Sequence, residues 1–345
     1  MLPSQKSVIE KRHSQLYQVL RNSLAIQDEN ILVISDAGNG QNTLAPLLGH
    51  GYYSAAQKKS HDTTLLYQGV KKGFMSADQQ VITALRRLDK GNIIVLAVSN
   101  KLGRFGEENS FRSFCRKRQH RFISATGLGD VHSQHLDLFM KAMHVNYPKM
   151  KRRGMAIKKC WDRAEEIRVK TAAGTDLRVD VSGMEAIANI GEYHEPGSGG
   201  NMPAGEVYIP PRGIAGAQGQ VVIDGTLKTA TGALLLQSPI TLQIKDGIVT
   251  DVAGKQASLL TKTFERFEDR AKYPGRIRSL GEIAIGINPG AQLIGSTIID
   301  EKVLGTGHIA IGSNNWFGGA IKTIYHGDQV FKRPIFYVDG KKMRI

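Results

Sequence analysis

The stretch NIIVLAVS at residues 92–99 is apolar at almost every position. NILVISD at 30–36 has the same form, and HRFISAT at 120–126 is a weaker third example. Segments with a helical pattern flank these stretches at 77–89 and 134–144. Apolar strands that alternate with helices are typical of a parallel sheet with both faces covered. The first half of the chain is therefore predicted to be an α/β domain with a parallel sheet.

The second half has a different pattern, with shorter strand-like pieces separated by turn signals. The tripeptide KDG at 245–247 lies between two such pieces and predicts a tight hairpin, because Asp-Gly readily adopts positive φ angles. A helix is predicted over about 256–270. We therefore expect an α+β domain with a largely antiparallel sheet. The boundary is placed near Arg168, which divides the chain into domains 1–167 and 168–345.

The composition is that of a globular protein of 345 residues, with 41% hydrophobic and 22% charged residues. No stretch approaches the roughly 20 apolar residues of a transmembrane helix, and the first residues have no apolar signal core. Cys115 and Cys160 have no metal-ligand or redox spacing. These features predict a cytoplasmic protein without a membrane partner.

The net charge of +15 raises the question of a nucleic-acid partner. Basic residues are concentrated between Lys101 and Lys170, but helix-turn-helix, zinc-finger and RNP-type signatures are missing from the sequence. Aromatic residues are not interleaved with the cations as a base-stacking surface requires. We therefore interpret the basic region as a solvated face and do not expect nucleic-acid binding.

Ionisable residues in the second half lie in short apolar segments beside glycine. The segments are GEVYIPP at 205–211, LGEIAIG at 280–286, GTGHIAIG at 305–312 and YHGDQVF at 325–331, and they contain Glu206, Glu282, His308, His326 and Asp328. Carboxylates and imidazoles are costly to bury unless they are paired or coordinate a cation. His326 and Asp328 are two apart, so a strand places both side chains on one face. These residues are the predicted metal ligands.

The ligand types limit the metal and suggest a chemistry. Carboxylate and imidazole without thiolate suit zinc, cobalt, manganese or ferrous iron. The set exceeds the three protein ligands that one catalytic zinc normally takes, so a pair of divalent ions is predicted. Two ions can activate a water and polarise a carbonyl, which favours hydrolysis.

Several segments of the second half resemble the M29 (aminopeptidase T-type) family of metallo-aminopeptidases. The matching segments are GTDLRVDVSG at 174–183, NMPAGEVYIPP at 201–211, IKDGIVTDVAG at 244–254, LGEIAIGIN at 280–288, DEKVLGTGHIAIG at 300–312 and YHGDQVF at 325–331. The resemblance implies a homodimeric hydrolase that acts on a peptide or small amide. It makes the five residues named above ligands of two ions (Zn, Co or Mn). We assign Glu206 or Glu282 as the group that carries the proton to the leaving amine.

One departure from that family keeps two alternatives open. The resemblance places a tyrosine seven residues after His308, where this chain has Asn315. The first alternative is a ring-cleaving dihydroxypyridine dioxygenase of a similar fold, with one Fe(II) held by His308, His326 and Asp328. Those enzymes are similar but look to have histidine at the position of Glu282 and an aromatic residue at that of Glu206, which favours the hydrolase. The second alternative is a non-catalytic metal-binding accessory protein with a peptide partner.

Overall fold

The structure is a computed structural model that describes residues 3–38, 40, 43–105 and 110–344. The helices are α1 Pro3–Glu10, α2 His13–Leu24, α3 Leu44–Gln57, α4 Gln79–Arg87, α5 Phe111–Arg118, α6 Leu136–Met143, α7 Tyr147–Trp161, α8 Ala257–Glu268 and α9 Thr297–Asp300. Short 3-10 turns lie at Leu128–Asp130, Ser133–His135, Pro274–Arg276 and Asn315–Phe317. Within the described ranges, every helix is too short or too polar to cross a membrane.

The strands follow in chain order. They are β1 Ile31–Asp36, β2 Thr63–Gln68, β3 Ile93–Val98, β4 Arg121–Thr126, β5 Glu166–Lys170, β6 Asp176–Asp180, β7 Ile187–Asn189, β8 Gly199–Asn201, β9 Glu206–Ile209, β10 Ala217–Ile223, β11 Thr226–Thr229, β12 Gly232–Leu235, β13 Ile240–Lys245, β14 Ile248–Ala253, β15 Leu280–Gly286, β16 Thr306–Gly312, β17 His326–Lys332, β18 Ile335–Val338 and β19 Lys341–Lys342. The chain folds into two compact units: unit 1 comprises 1–147 and 191–204, and unit 2 comprises 148–190 and 205–345.

Unit 1 contains the parallel sheet that the first apolar stretches predict. Its strand order is β2-β1-β3-β4-β8, and each neighbouring pair is parallel. Every residue of β1 and β3 is buried, which is why these strands lack a polar face. The predicted α/β domain with a parallel sheet is confirmed.

Unit 2 contains two antiparallel sheets. One has the order β14-β13-β10-β6-β5-β18-β19, and the other has the order β12-β11-β17-β16-β15-β9-β7. The predicted hairpin joins β13 to β14, with φ angles of 49° at Asp246 and 73° at Gly247. The predicted helix is α8. The antiparallel character of the second half is therefore confirmed.

The compact units divide the chain earlier than the boundary expected near Arg168. Helix α7 is assigned to unit 2 from Pro148 onwards. Trp161, at the end of this helix, is fully buried and its ring lies 5.7 Å from that of Phe336 in β18. The helix therefore packs on the antiparallel unit, although it follows the α/β pattern in sequence.

Candidate metal centre

The residues predicted as metal ligands all lie on one sheet of unit 2. Glu206 begins β9, Glu282 lies in β15, His308 lies in β16, and His326 and Asp328 lie in β17. These strands are adjacent in the order β17-β16-β15-β9. The alternation of side chains along a strand puts all of them on the same face of the sheet.

Each of these side chains has a glycine or alanine directly opposite it on one neighbouring strand, although Glu206 also faces Asn189 and His308 also faces Val330. The pairs are Glu206 with Gly286, His308 with Ala284, Glu282 and Asp328 with Ala310, and His326 with Gly312. Side chains directly opposite each other on antiparallel strands are only about 5 Å apart, so a large partner would fill the space above the sheet. Glycine and alanine leave that space to the ionisable groups.

Gly205 fixes the start of β9 and thereby the position of Glu206. Its φ angle is +126°, and a Cβ there would lie 2.4 Å from the Cβ of Asn288. A larger residue at this position would be strained and would displace Asn288, which follows β15. The glycine before Glu206 is therefore part of the site.

Glu282, His308 and Asp328 form the first cluster. Each offers one donor atom, and the three atoms lie within 4.8 Å of one another. His308 Nε2 is 3.2 Å from Glu282 Oε1. Donors bound to one ion at about 2.1 Å lie roughly 3–4 Å apart, so small side-chain adjustments suffice to surround a metal.

His326 adds a second imidazole to the first cluster. Its Nε2 is 3.2 Å from Asp328 Oδ1, and its Nδ1–H donates to the carbonyl oxygen of Ser313 at 2.8 Å. Burial alone would lower the pKa of His326, but the Asp328 carboxylate outweighs it and raises that pKa to about 9. A carbonyl that holds Nδ1–H leaves Nε2 facing the cluster, which is the usual arrangement for a histidine ligand.

Glu206, Glu301 and His308 form the second cluster, and their donor atoms also lie within 4.8 Å of one another. Lys302 lies against it: its Nζ is 2.5 Å from Glu206 Oε1 and also contacts Glu301 Oε1. The Lys302 side chain is only 1% exposed. Sequence patterns do not single out Glu301 and Lys302 as site residues, because both follow α9 in the segment DEKVLG, which has no strand pattern.

Burial shifts the pKa of two glutamates of this region. Burial raises the pKa of Glu282, although a hydrogen bond with His308 opposes the shift. Burial also raises the pKa of Glu301 well above its usual range, and Glu301 shares a hydrogen bond with Asp328. Four carboxylates therefore face one ammonium and two imidazoles. This surplus of oxygen donors fits a divalent cation at the first cluster, because a bound cation would favour the ionised form of the buried carboxyl groups.

The site opens to solvent on the β17 side. His326 is 26% exposed and Asp328 is 18% exposed, whereas the His308 side chain is 1% exposed. Trp316 is 58% exposed, and its ring lies edge-on to His326 with 4.8 Å between centroids. A large flat side chain thus lies beside the open edge of the first cluster.

Residues 131–344 match the model of the NicX family, whose description is 2,5-dihydroxypyridine 5,6-dioxygenase. A curated 2,5-dihydroxypyridine 5,6-dioxygenase from Pseudomonas putida is 26% identical over 207 residues, which cover 55% of this chain and 56% of that protein. The chain thus spans about half the length of the curated relative it matches. The solved structure of 2,5-dihydroxypyridine dioxygenase from the same species superimposes with a TM-score of 0.72 and 17% identity. That comparison covers 98% of this chain and 95% of the other, and it shows a common fold.

The family match overturns the interpretation as an M29 aminopeptidase. Hydrolase, metalloprotease and aminopeptidase are wrong as activities, because the matching family is one of ring-cleaving dioxygenases. The expectation of a peptide or amide substrate rested on the same interpretation, as did the role of Glu206 and Glu282 in protonating a leaving amine. The resemblance misled because the same carboxylate and imidazole donors serve both hydrolysis and oxygenation. They do not identify the bond that is broken.

Proposed function

The chain belongs to the NicX family of 2,5-dihydroxypyridine 5,6-dioxygenases. We therefore propose that it is a metal-dependent dioxygenase that opens a hydroxylated pyridine ring. The observation that carries the proposal is the first cluster, in which carboxylates and imidazoles converge at an edge open to solvent. Two histidines and a carboxylate are the donors that non-haem iron(II) oxygenases use. His308, His326 and Asp328 supply such a set here, and Glu282 lies within reach as a fourth donor.

Iron(II) is the ion that we assign to these donors, and when bound it supplies the redox chemistry and the open coordination positions that dioxygen and a ring hydroxyl require. The Ser313 carbonyl keeps the Nε2 of His326 directed at the cluster. Burial of His308 and Glu282 excludes water from the inner side, so the substrate approaches from the β17 side.

The exposed side chains around the opening suit a flat ring. Trp316 exposes its indole ring beside His326, and an aromatic pair contributes about 0.5–1.5 kcal/mol beyond its buried area. Glu301 is hydrogen-bonded to Asp328 and lies outside the proposed iron donors. We assign to Glu301 the role of orienting the Asp328 carboxylate through this hydrogen bond.

The family match supports a substrate class. A 5,6-dioxygenase breaks the bond between ring carbons 5 and 6, and both atoms of one dioxygen molecule enter the product. In 2,5-dihydroxypyridine, carbon 5 bears a hydroxyl and carbon 6 is next to the ring nitrogen. This compound is therefore the first substrate to test.

Oxygen consumption by the iron-loaded protein tests the proposal. Protein loaded anaerobically with Fe(II) is mixed with 2,5-dihydroxypyridine and air-saturated buffer, and dissolved oxygen and ring absorbance are recorded together. We expect equal molar losses of ring and dioxygen, and both labelled atoms in the product when ¹⁸O₂ is used. His308→Ala should be inactive, whereas His144→Ala, which changes an exposed histidine of unit 1, should behave as wild type.

A fully iron-loaded protein that consumes no oxygen would contradict the proposal. To count as a contradiction, oxygen consumption must be absent with 2,5-dihydroxypyridine, with other dihydroxypyridines and with benzenediols. Such a protein would match instead the non-catalytic metal-binding alternative that the sequence leaves open.

A further inference from the structure

The two clusters share His308 but differ in the cation that accompanies them. His308 Nε2 is 3.2 Å from Glu282 Oε1 on one side and 3.6 Å from Glu206 Oε2 on the other. On the Glu206 side, the Nζ of Lys302 already contacts both carboxylates of the second cluster. The protein thus places its own cation among donors that are spaced for a metal.

We propose that the ammonium of Lys302 occupies a latent second metal site between the carboxylates of Glu206 and Glu301, beside His308, and thereby limits the centre to one ion. The inference rests on the proposed function only in taking His308, His326 and Asp328, with Glu282 within reach, as donors of the first ion. The pair of ions predicted from the sequence is then replaced by one metal ion and one lysine.

The geometry of Lys302 supports this role over that of an ordinary surface pair. Its side chain is 1% exposed, and those of Glu206 and Glu301 are 7% and 13% exposed. A buried ammonium is stable only where carboxylates surround it, and buried carboxylates likewise require a cation. A divalent ion could not enter beside the ammonium without strong repulsion between like charges at close range.

Metal stoichiometry tests the inference without substrate or oxygen. Purified wild-type protein, Lys302→Met and Lys71→Met are dialysed to equilibrium against Co²⁺, and cobalt per chain is measured by elemental analysis. Methionine keeps most of the volume of lysine and removes its charge. Lys71→Met is the matched control, because Lys71 in unit 1 is also a buried lysine. Its side chain is 7% exposed, and its Nζ lies 2.5 Å from Asp78 Oδ1.

We expect one cobalt per chain in the wild type and in Lys71→Met, and two in Lys302→Met. The two ions of Lys302→Met should also show magnetic coupling in the electron paramagnetic resonance spectrum, because they share the surroundings of His308. A wild type that binds two ions overturns the inference, as does a folded Lys302→Met that binds one.

Folding of the variant is itself informative. Lys302→Met that folds only with added cobalt supports the inference, because the metal then supplies the missing positive charge. A Lys302→Met variant that stays unfolded with cobalt contradicts the inference. Lys302→Gln, which keeps a polar end group, must show the same dependence of folding on cobalt. A protein that binds one cobalt but consumes no oxygen with iron contradicts the proposed function alone, so the two failures are distinguishable.

Discussion

Buried carboxylates occur in both units, but they are satisfied in different ways. In unit 1, Asp36 ends β1 and is fully buried, and it accepts hydrogen bonds from the Ser99 N–H at 2.7 Å, the Ser99 hydroxyl at 2.6 Å and the Gly38 N–H at 3.0 Å. In unit 2, Glu282 faces the imidazole of His308 and lies close to Asp328. Donors of the chain itself thus compensate Asp36, whereas Glu282 lies among other acceptors and titratable groups.

A structural carboxylate differs from a metal ligand in the groups that contact it. Burial is common to both and decides nothing by itself. The type of partner distinguishes the two roles. N–H and O–H donors satisfy the hydrogen-bonding capacity of a buried carboxylate, whereas neighbouring carboxylates and imidazoles leave it in need of a cation. Asp300 shows that the distinction is local, since it accepts from three backbone N–H groups and from Thr226 although it directly precedes Glu301.

The largest effect is expected from removing a carboxylate of the first cluster. Asp328→Ala should lower kcat/KM by at least about a hundredfold, since even outer-shell changes cost 10- to 100-fold at metal sites. Metal content, measured by elemental analysis, should fall in parallel. Asp328→Ala with full metal content and activity would remove Asp328 from the ligands.

Replacing Asp36, the hydrogen-bonded carboxylate of unit 1, should lower the stability of the protein and leave metal binding unchanged. Asp36→Ala leaves two N–H groups and a hydroxyl without their acceptor, at a cost of about 3 kcal/mol in the free energy of unfolding. Urea denaturation checks this value, and elemental analysis checks that metal per chain is unchanged. If Asp36→Ala lost metal while it remained folded, the contrast between the units would fail.

The smallest effect is expected at the edge of the site. Trp316→Ala should raise KM about five- to tenfold with little change in kcat, which corresponds to roughly 1 kcal/mol of ring stacking. Trp316→Phe keeps an aromatic face and should recover most of the affinity. Steady-state kinetics with 2,5-dihydroxypyridine measures both, and equal losses in kcat for the two variants would argue for a different role.

The sequence predicts much of the fold because its strands carry clear patterns. The strands Ile31–Asp36 and Ile93–Val98 in these two segments are buried on both faces in the structure, and the KDG turn adopts the expected positive φ angles. The segment at β8 could not be predicted, because Gly-Gly-Asn has no hydrophobic pattern and pairs with β4, far away in sequence. Long-range pairing of such a short strand depends on the tertiary structure.

The site was predictable only in part. Strand spacing and flanking glycines single out Glu206, Glu282, His308, His326 and Asp328, which the structure brings to one face. Glu301 and Lys302 gave no comparable signal, since adjacent charged residues after a short helix look like an ordinary surface turn. The reaction was beyond the sequence patterns, because the same donor types serve hydrolysis and oxygenation.

Residues 191–204 belong to unit 1, although the chain on both sides of them belongs to unit 2. Unit 1 is therefore incomplete without them. A fragment that ends at Tyr147 would lack β8 and leave the backbone of Phe122 to Ser124 as an unpaired edge of the parallel sheet. Exposed edges of apolar strands pair readily with other chains and promote aggregation. Recombination at a single point cannot separate the two units without breaking one of them, so they are expected to be inherited together.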